Sequence, residues 1–402
     1  MDLSSGYPLS LVKNGLPYEY PQLQKDIRTT VAVIGAGISG ALTAYALVNA
    51  GLPCTVVDAR TVGLGSTCAS TSLLQYEIDV PLVRLAEKIG KAAAERAYAL
   101  CAASVGTLEN ICGRLNAGLF QQKNSLLLAS FKKDLPLLEA EFKARNVMGL
   151  PVDWWGAEDV KHNMGLEHPA AIFSGAAGQT DAYLLTHALH QHNLRKGAQV
   201  YDRTLVKDIR FHKQGAELLT ANGAVVRSRY IVVATGYEAL QYVPAKIVKL
   251  QSTYAVAGGH RNGGPAWYRD CLIWETKQPY LYMRTAPDGR VIAGGRDEDY
   301  YNPHRRDKLL PLKTRQLAKD VRSRFPQLNF HPEFAWTGTF GSTQDGLPYI
   351  GEYHGMPHTY FALGFGGNGI TFSQVAAEIV CGLIMEGKHP DAELFSFNRW
   401  KG

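Results

Sequence analysis

Three glycines spaced as Gly35-x-Gly37-x-x-Gly40, with Asp58 eighteen residues beyond the last of them, are the residues whose types and spacing point most directly to chemistry. Such glycines bring backbone N–H groups against a pyrophosphate: Gly35 permits a tight turn, Gly37 the approach of the anion, and Gly40 the close packing of a helix on a strand. The helix that follows presents unpaired N–H groups and the positive end of its dipole to that anion. Asp58 stands where a carboxylate accepts the hydroxyls of an adenosine ribose. The elements needed to hold these residues occur in the right order. Val31-Ala-Val-Ile34 reads as a buried parallel strand, residues 41–51 as a helix, and Thr55-Val-Val57 as a second strand ending on Asp58. Residues 29–57 carry no charge, which invites a membrane-span reading, but four glycines, Pro53 and Asn49 make them a poor span.

Downstream, residues 63–75 form a loop of small and hydroxyl-bearing residues, in which backbone N–H groups and Ser66, Thr67, Ser70 and Thr71 can follow an extended ligand. Residues 79–146 show a helical pattern of covering helices, and a capped helix begins at Thr180-Asp181. Strand-like pieces at 199–201, 204–211 and 216–220 precede an Asn222-Gly223 hairpin turn. Residues 230–236 read as a buried strand ending in Thr235-Gly236 and returning to the nucleotide-binding sheet. Residues 254–258, 271–274, 280–284 and 290–295 read as a separate, mostly antiparallel sheet, with a turn at Pro287-Asp-Gly289. That sheet is the natural place for a substrate pocket. A second glycine-dense loop, Gly364-Phe-Gly-Gly-Asn-Gly369, enters an apolar helix at 373–385, and its N–H donors suit the polar edge of a flavin.

A chain of 402 residues exceeds the size at which one core usually splits. The expected class is α/β with mixed α+β character: a Rossmann-type domain with an inserted, mostly antiparallel substrate domain. The first takes residues 1–80, 180–240 and 341–402, the second residues 81–179 and 241–340 with covering helices. Composition, 46% hydrophobic and 19% charged, is that of a soluble globular protein. Residues 1–28 are polar, without an apolar core, and read as an arm laid over the domain and not as a signal peptide. The net charge of +6 is scattered, so neither a nucleic-acid partner nor stable membrane insertion is expected. Six cysteines without a C-x-x-C pair suit reduced thiols and a cytoplasmic location. His187, His190 and His192 lack a completing ligand, so they read as a solvated helix face and no metal is expected.

Taken together, the glycine turn with Asp58, the loop at 65–74, the strand ending Ala234-Thr-Gly236, the run Asp345-Gly-Leu-Pro-Tyr-Ile-Gly351 and the loop Gly364-Phe-Gly-Gly-Asn-Gly369 resemble the D-amino-acid oxidase, glycine oxidase and sarcosine oxidase superfamily of FAD-dependent oxidoreductases. The resemblance covers nearly the whole chain in the same order, and Tyr20-Pro-Gln-Leu23 is similar to the gamma-glutamylputrescine oxidoreductase-like branch. It implies that Gly35, Ala36, Gly37, Ile38, Ser39 and Gly40 hold the FAD pyrophosphate, and that Asp58, Ala59 and Arg60 hold the adenosine ribose. Ser66, Thr67, Ser70, Thr71 and Leu73 would follow the ribityl chain, Val206 the adenine, with Thr235 and Gly236 also on the cofactor. Gly366, Gly367, Asn368, Gly369 and Ile370 would meet the pyrimidine edge of the isoalloxazine.

The departures from that pattern are informative. Glycine oxidases place a carboxylate-binding arginine where this chain has Phe340; sarcosine oxidases place an arginine and a lysine where it has Gln75 and Thr371. Because a bidentate cation is the usual holder of a buried carboxylate, their loss argues against glycine, sarcosine or a simple D-amino acid. Arg284, beside Tyr280 and Tyr282, is the candidate replacement, against a surface-arginine reading. The family's flavin-linking cysteine and histidine positions, near Gly338 and Ser70, hold neither residue, so FAD is expected to bind non-covalently, with Cys68 the nearest thiol. The expected activity is oxidation of the C–N bond of an amine or modified amino acid by hydride transfer to FAD, followed by imine hydrolysis. Oxygen or a quinone-like or dye-like acceptor would take the electrons. Tyr254, Tyr282, Arg284, Trp336 and Gln75 are the pocket candidates. The rival readings are a flavin-bound sensor without turnover and an FAD-dependent oxidoreductase of a tRNA aminomethyl group.

Overall fold

The computed structural model describes residues 1–116, 118–243, 247–260, 264–363 and 366–399. Two large sheets organise them. In the first, Ile27–Ile34 lies between Val225–Val233 and Cys54–Val57, all parallel, with Gln199–Tyr201 beyond Cys54–Val57 and Thr359–Leu363 beyond Val225–Val233. Parallel strands are covered on both faces, so their sequences are nearly continuous apolar runs. Val31, Ala32 and Val33 are fully buried. Tyr349–Glu352 closes one edge antiparallel, and the meander Val206–His212, Gly215–Thr220 is laid on Val225–Val233. Gly223, at φ +93°, makes the expected hairpin turn.

The helices Ile38–Asn49, Ala182–Arg195 and Gly369–Glu386 pack together on this sheet's side of the molecule. Gly369–Glu386 is long and apolar enough to cross a membrane, yet 61% of it is buried inside the chain, the pattern of a core helix.

The second sheet has ten strands. Its path runs from Ser4–Gly6 through Pro332–Ser342, Lys249–Gly258, Val291–Glu298, Leu281–Thr285, Leu272–Glu275, Gln121–Leu128 and Ala170–Gln179 to Leu73–Gln75, with Val152–Gly156 also on Ala170–Gln179. Every pairing is antiparallel except Leu272–Glu275 with Gln121–Leu128. The helix Pro303–Arg324 covers Lys249–Gly258 and Pro332–Ser342.

Three features depart from expectation. Ser4–Gly6 and Leu73–Gln75, both inside the segment assigned to the nucleotide-binding domain, are hydrogen-bonded into the second sheet. Ala170–Gln179 is a ten-residue strand whose alanines and glycines hide its type, because both of its faces are mostly buried and no alternation survives. Pro303–Arg324 carries Pro311 in its interior and a dense run of basic residues, which mask its helical period.

Candidate active site

A cavity of about 600 Å³ lies where the two sheets meet, and residues of both line it. At one end is the glycine turn. Gly35 has φ +110°, and a Cβ there would stand 2.5 Å from the Ala234 carbonyl oxygen, so the turn passes against the neighbouring strand. A Cβ on Gly40 would stand 1.8 Å from the Gly35 carbonyl oxygen, which is the close helix packing the spacing requires. A Cβ on Gly37 would come within 2.9 Å of Thr67 Oγ1. That hydroxyl accepts the Ile38 N–H at 3.1 Å, at the start of Ile38–Asn49.

Asp58 ends its strand on this wall. Its carboxylate accepts the Ala36 N–H at 2.6 Å and the Arg60 N–H at 2.8 Å, while burial pushes its pKa above the usual carboxylate range. Arg60 forms a two-pronged pair with Glu238, each prong 2.7 Å. His190 supports the turn from behind: its Nε2–H donates to the Ala36 carbonyl at 3.2 Å. His187 is likewise buried and bonded to the Tyr20 hydroxyl at 3.1 Å. The solvated-face reading of these two histidines is therefore corrected, since their helix face packs under the turn and the N-terminal arm. Among the described residues, no group of three or more histidines, cysteines or carboxylates is placed to hold a metal ion.

Along the middle of the cavity lie Ser66, Thr67, Ser70, Thr71 and Leu73. Ser66 Oγ and Thr235 Oγ1, both on the wall, are buried without a hydrogen-bond partner. Buried hydroxyls are rarely left so, and a ligand rich in oxygen satisfies them. At the N-terminus of Gly369–Glu386, the Gly367 N–H donates to Asp79 Oδ2 at 2.8 Å and Asn368 Nδ2 to the Gln75 carbonyl at 2.9 Å. Gly364 and Phe365 of the same loop lie outside the described residues.

The far end is built from side chains. Tyr280 and Tyr282 stand with ring centres 5.8 Å apart, and Trp274, Thr253 and Phe340 complete the apolar surface. Gly294 makes room for Tyr282, whose hydroxyl would meet a Cβ there at 2.2 Å. Ser125 joins the polar members: its Oγ donates to Glu77 Oε1 at 2.9 Å and accepts from Gln75 Nε2 at 3.1 Å and Trp274 Nε1 at 3.3 Å. Behind Glu77 sits the fully buried Arg145, 3.6 Å from Glu77 and 2.7 Å from Glu141. Burial raises the pKa of both Glu77 and Asp79, and lifts Asp297, behind Thr253, to about 6.

Of the residues expected at the pocket, Tyr282 and Gln75 line the cavity. Tyr254, Arg284 and Trp336 do not. Tyr254 is 1% exposed in the core of the second sheet, with Lys313 5.2 Å over its ring. Arg284 is neither a carboxylate clamp nor a surface residue: its guanidinium donates to the carbonyls of Thr71, Thr285 and Thr180, and burial lowers its pKa to about 10. Trp336 donates from Nε1 to the Ala69 carbonyl at 2.8 Å. Both therefore fasten the hydroxyl-rich loop from behind. Thr371 is buried within its helix turn, donating to the Asn368 carbonyl at 2.8 Å, whereas the other two altered positions, Gln75 and Phe340, face the cavity. Of the residues assigned to the cofactor, Ala36 and Gly40 lie behind the wall; Gly35, Gly37, Ile38, Ser39, Asp58, Ala59, Arg60, Val206, Gly236, Gly366, Gly369 and Ile370 are on it.

Sequence reasoning missed Tyr280, Trp274, Glu77 and Asp79 as wall residues. A signal existed for the acids: Gln75, Glu77 and Asp79 alternate with Tyr76 and Ile78, which enter the core of the first sheet.

The chain is 26% identical to the glycine oxidase of Geobacillus kaustophilus over 92% of its length and 96% of that protein. It is 25% identical to the gamma-glutamylputrescine oxidoreductase of Escherichia coli over 98% of its length and 90% of that protein. The solved L-proline dehydrogenase from P. horikoshii has the same fold, with a TM-score of 0.77 at 22% identity, covering 94% of this chain and 99% of that one. Residues 30–383 match the family model described as DAO, FAD dependent oxidoreductase. With the glycine turn, the buried hydroxyls and the two-sheet cavity all fitting a flavin dinucleotide, the chain belongs to the DAO family of FAD-dependent oxidoreductases.

Proposed function

We propose that this enzyme oxidises the C–N bond of an amine or modified amino acid. FAD, when bound, supplies the hydride acceptor for the carbon beside nitrogen, and the resulting imine hydrolyses to a carbonyl compound. The observation that carries the reading is that one cavity joins the glycine turn to an end walled by Tyr280, Tyr282, Trp274 and Phe340.

The chain's own residues divide the work. Gly37 and the start of the helix after it would hold the pyrophosphate and Asp58 the ribose, Thr67 would follow the ribityl chain, and Ser66 and Thr235 would supply hydroxyls that otherwise lack partners. The aromatic residues exclude water from the reacting carbon and hold its C–H bond in one direction. An amine must lose its ammonium proton before it can give up a hydride, and the carboxyl group of the buried Glu77 and that of Asp79, which opens on the cavity, both with proton affinity raised by desolvation, can take it. Non-covalent attachment of FAD suits a described wall without cysteine or histidine, with Cys68 Sγ turned to the Gly65 carbonyl.

An anaerobic amine panel tests the reading. At least one amine should bleach the flavin of the purified holoenzyme; no bleaching by any would favour a sensor without turnover. Repeating the reaction in air, with peroxide measured against dye reduction, separates oxidase from dehydrogenase. Gly37→Val should give a folded but colourless protein, and a yellow variant with normal FAD content would show that the glycine turn does not hold the cofactor.

A further inference from the structure

The two ends of the cavity differ in charge in a way that bears on the substrate. At the dinucleotide end, Arg60 is the one lysine or arginine on the described wall, and Glu238 already pairs with it. At the aromatic end the ionisable wall residues with acidic side chains are Glu77 and Asp79, and no basic side chain stands beside them on the described wall. Arg145, behind the wall, does not neutralise both of its neighbours. It makes its short contact, 2.7 Å, with Glu141, and reaches Glu77 Oε1 only at 3.6 Å. Glu77 is 4% exposed, and its second oxygen, Oε2, has no hydrogen-bond partner. A buried carboxylate oxygen without a donor is costly, and a ligand that brings N–H donors and positive charge removes the cost. The neighbouring aromatic faces of Tyr280, Tyr282 and Trp274 also favour a cation over an anion.

We propose that this end of the cavity is an ammonium site, with Glu77 and Asp79 as specificity-determining residues, and that the substrate class is amines carrying a second positive charge in place of a carboxylate. The inference rests on the amine-oxidation reading and narrows it. A substrate carboxylate in this part of the cavity would face two acids and no cation on the described wall. A diamine instead meets one acid with each of its nitrogen ends, and loses one proton there before oxidation.

The test compares three probes of equal carbon number on the FAD-loaded enzyme: 1,4-diaminobutane, n-butylamine and 4-aminobutanoate. Binding is read by perturbation of the oxidised flavin spectrum, and turnover by anaerobic bleaching. The expected result is half-saturation by the diamine at a concentration at least tenfold below that of n-butylamine and a hundredfold below that of 4-aminobutanoate. Glu77→Gln should raise the diamine's half-saturation about tenfold, with FAD content and thermal midpoint checked on the same sample. Asp79→Asn, which keeps an acceptor for the Gly367 N–H, provides the second variant should Glu77→Gln not fold. Equal half-saturation by all three probes, or preference for 4-aminobutanoate, overturns the ammonium site while any bleaching keeps amine oxidation standing. Tight diamine binding without bleaching by any amine does the reverse. Diamine preference undiminished in both variants overturns the assignment to these acids.

Discussion

The two ends of the cavity are built on opposite principles. The dinucleotide end is made of backbone: its defining positions are glycines, and its wall offers N–H groups, small hydroxyls and one carboxylate at a strand end. The aromatic end is made of large side chains resting on a sheet, joined by a hydrogen-bond chain that ends on Glu77, with a buried arginine 3.6 Å beyond it. A surface of backbone tolerates no added atoms, because the close approach is itself the function. A surface of side chains can be exchanged residue by residue, which is why we propose that specificity is set there.

That contrast fixes the expected sizes of perturbations. The largest should come from Gly40→Val, whose side chain would begin 1.8 Å from the Gly35 carbonyl oxygen; more than about 4 kcal/mol of stability is at risk, and circular dichroism with FAD content should report no folded yellow protein. A stable yellow variant would mean that backbone contact does not set the limit at this end. Next is Arg145→Met. It leaves Glu77 and Glu141 buried without their cation and should cost about 3–5 kcal/mol in denaturant unfolding. Little change would show that this cation does not hold the acid cluster together.

Acid should weaken the backbone-built end by way of its histidines. Burial pushes His187 and His190 down to about 4, whereas an unfolded histidine titrates near 6.5. Below pH 6.5 the unfolded chain therefore binds more protons, so stability is retained above about 6.5 and lost as pH falls from there toward 4. His190 alone accounts for up to about 3 kcal/mol over that window. Thermal midpoints across the window should fall less steeply in His190→Gln; an unchanged slope assigns the loss to other groups.

Smaller effects should follow between the ends and at the far end. Trp336→Phe removes the donor to the Ala69 carbonyl and should cost about 1 kcal/mol, with slower FAD retention on dilution. Tyr280→Phe should leave stability within about 0.5 kcal/mol while changing the half-saturation for amines, which is the signature of an exchangeable wall. A large loss of folded protein on that single hydroxyl deletion would erase the distinction between the ends.

The backbone-built end was the legible one. Glycine spacing, an apolar run and a strand-end acid are local patterns, and the chain folds them where the spacing says. The aromatic end was legible only in part. Tyr282 and Gln75 were identifiable, but Arg284 and Trp336, attractive as residue types, turned out to spend their donors on backbone carbonyls. Which face of a strand meets the cavity depends on a sheet assembled from distant segments, among them Ala170–Gln179, whose composition hides it. The pairing of Glu77 with Arg145 spans 68 residues of sequence and has no local trace.

The hydrogen bonds from Arg284 and Trp336 to the carbonyls of Thr71 and Ala69 carry one more consequence. They rivet the hydroxyl-rich loop, proposed to follow the cofactor, to the sheet proposed to shape the substrate space, so on that reading the two recognition tasks share a single fastening. New specificities can be drafted on the aromatic wall while the rivets stay in place. A change that loosened a rivet would alter both tasks at once, and a donor chamber grafted from a relative would need to bring its own fastenings with it.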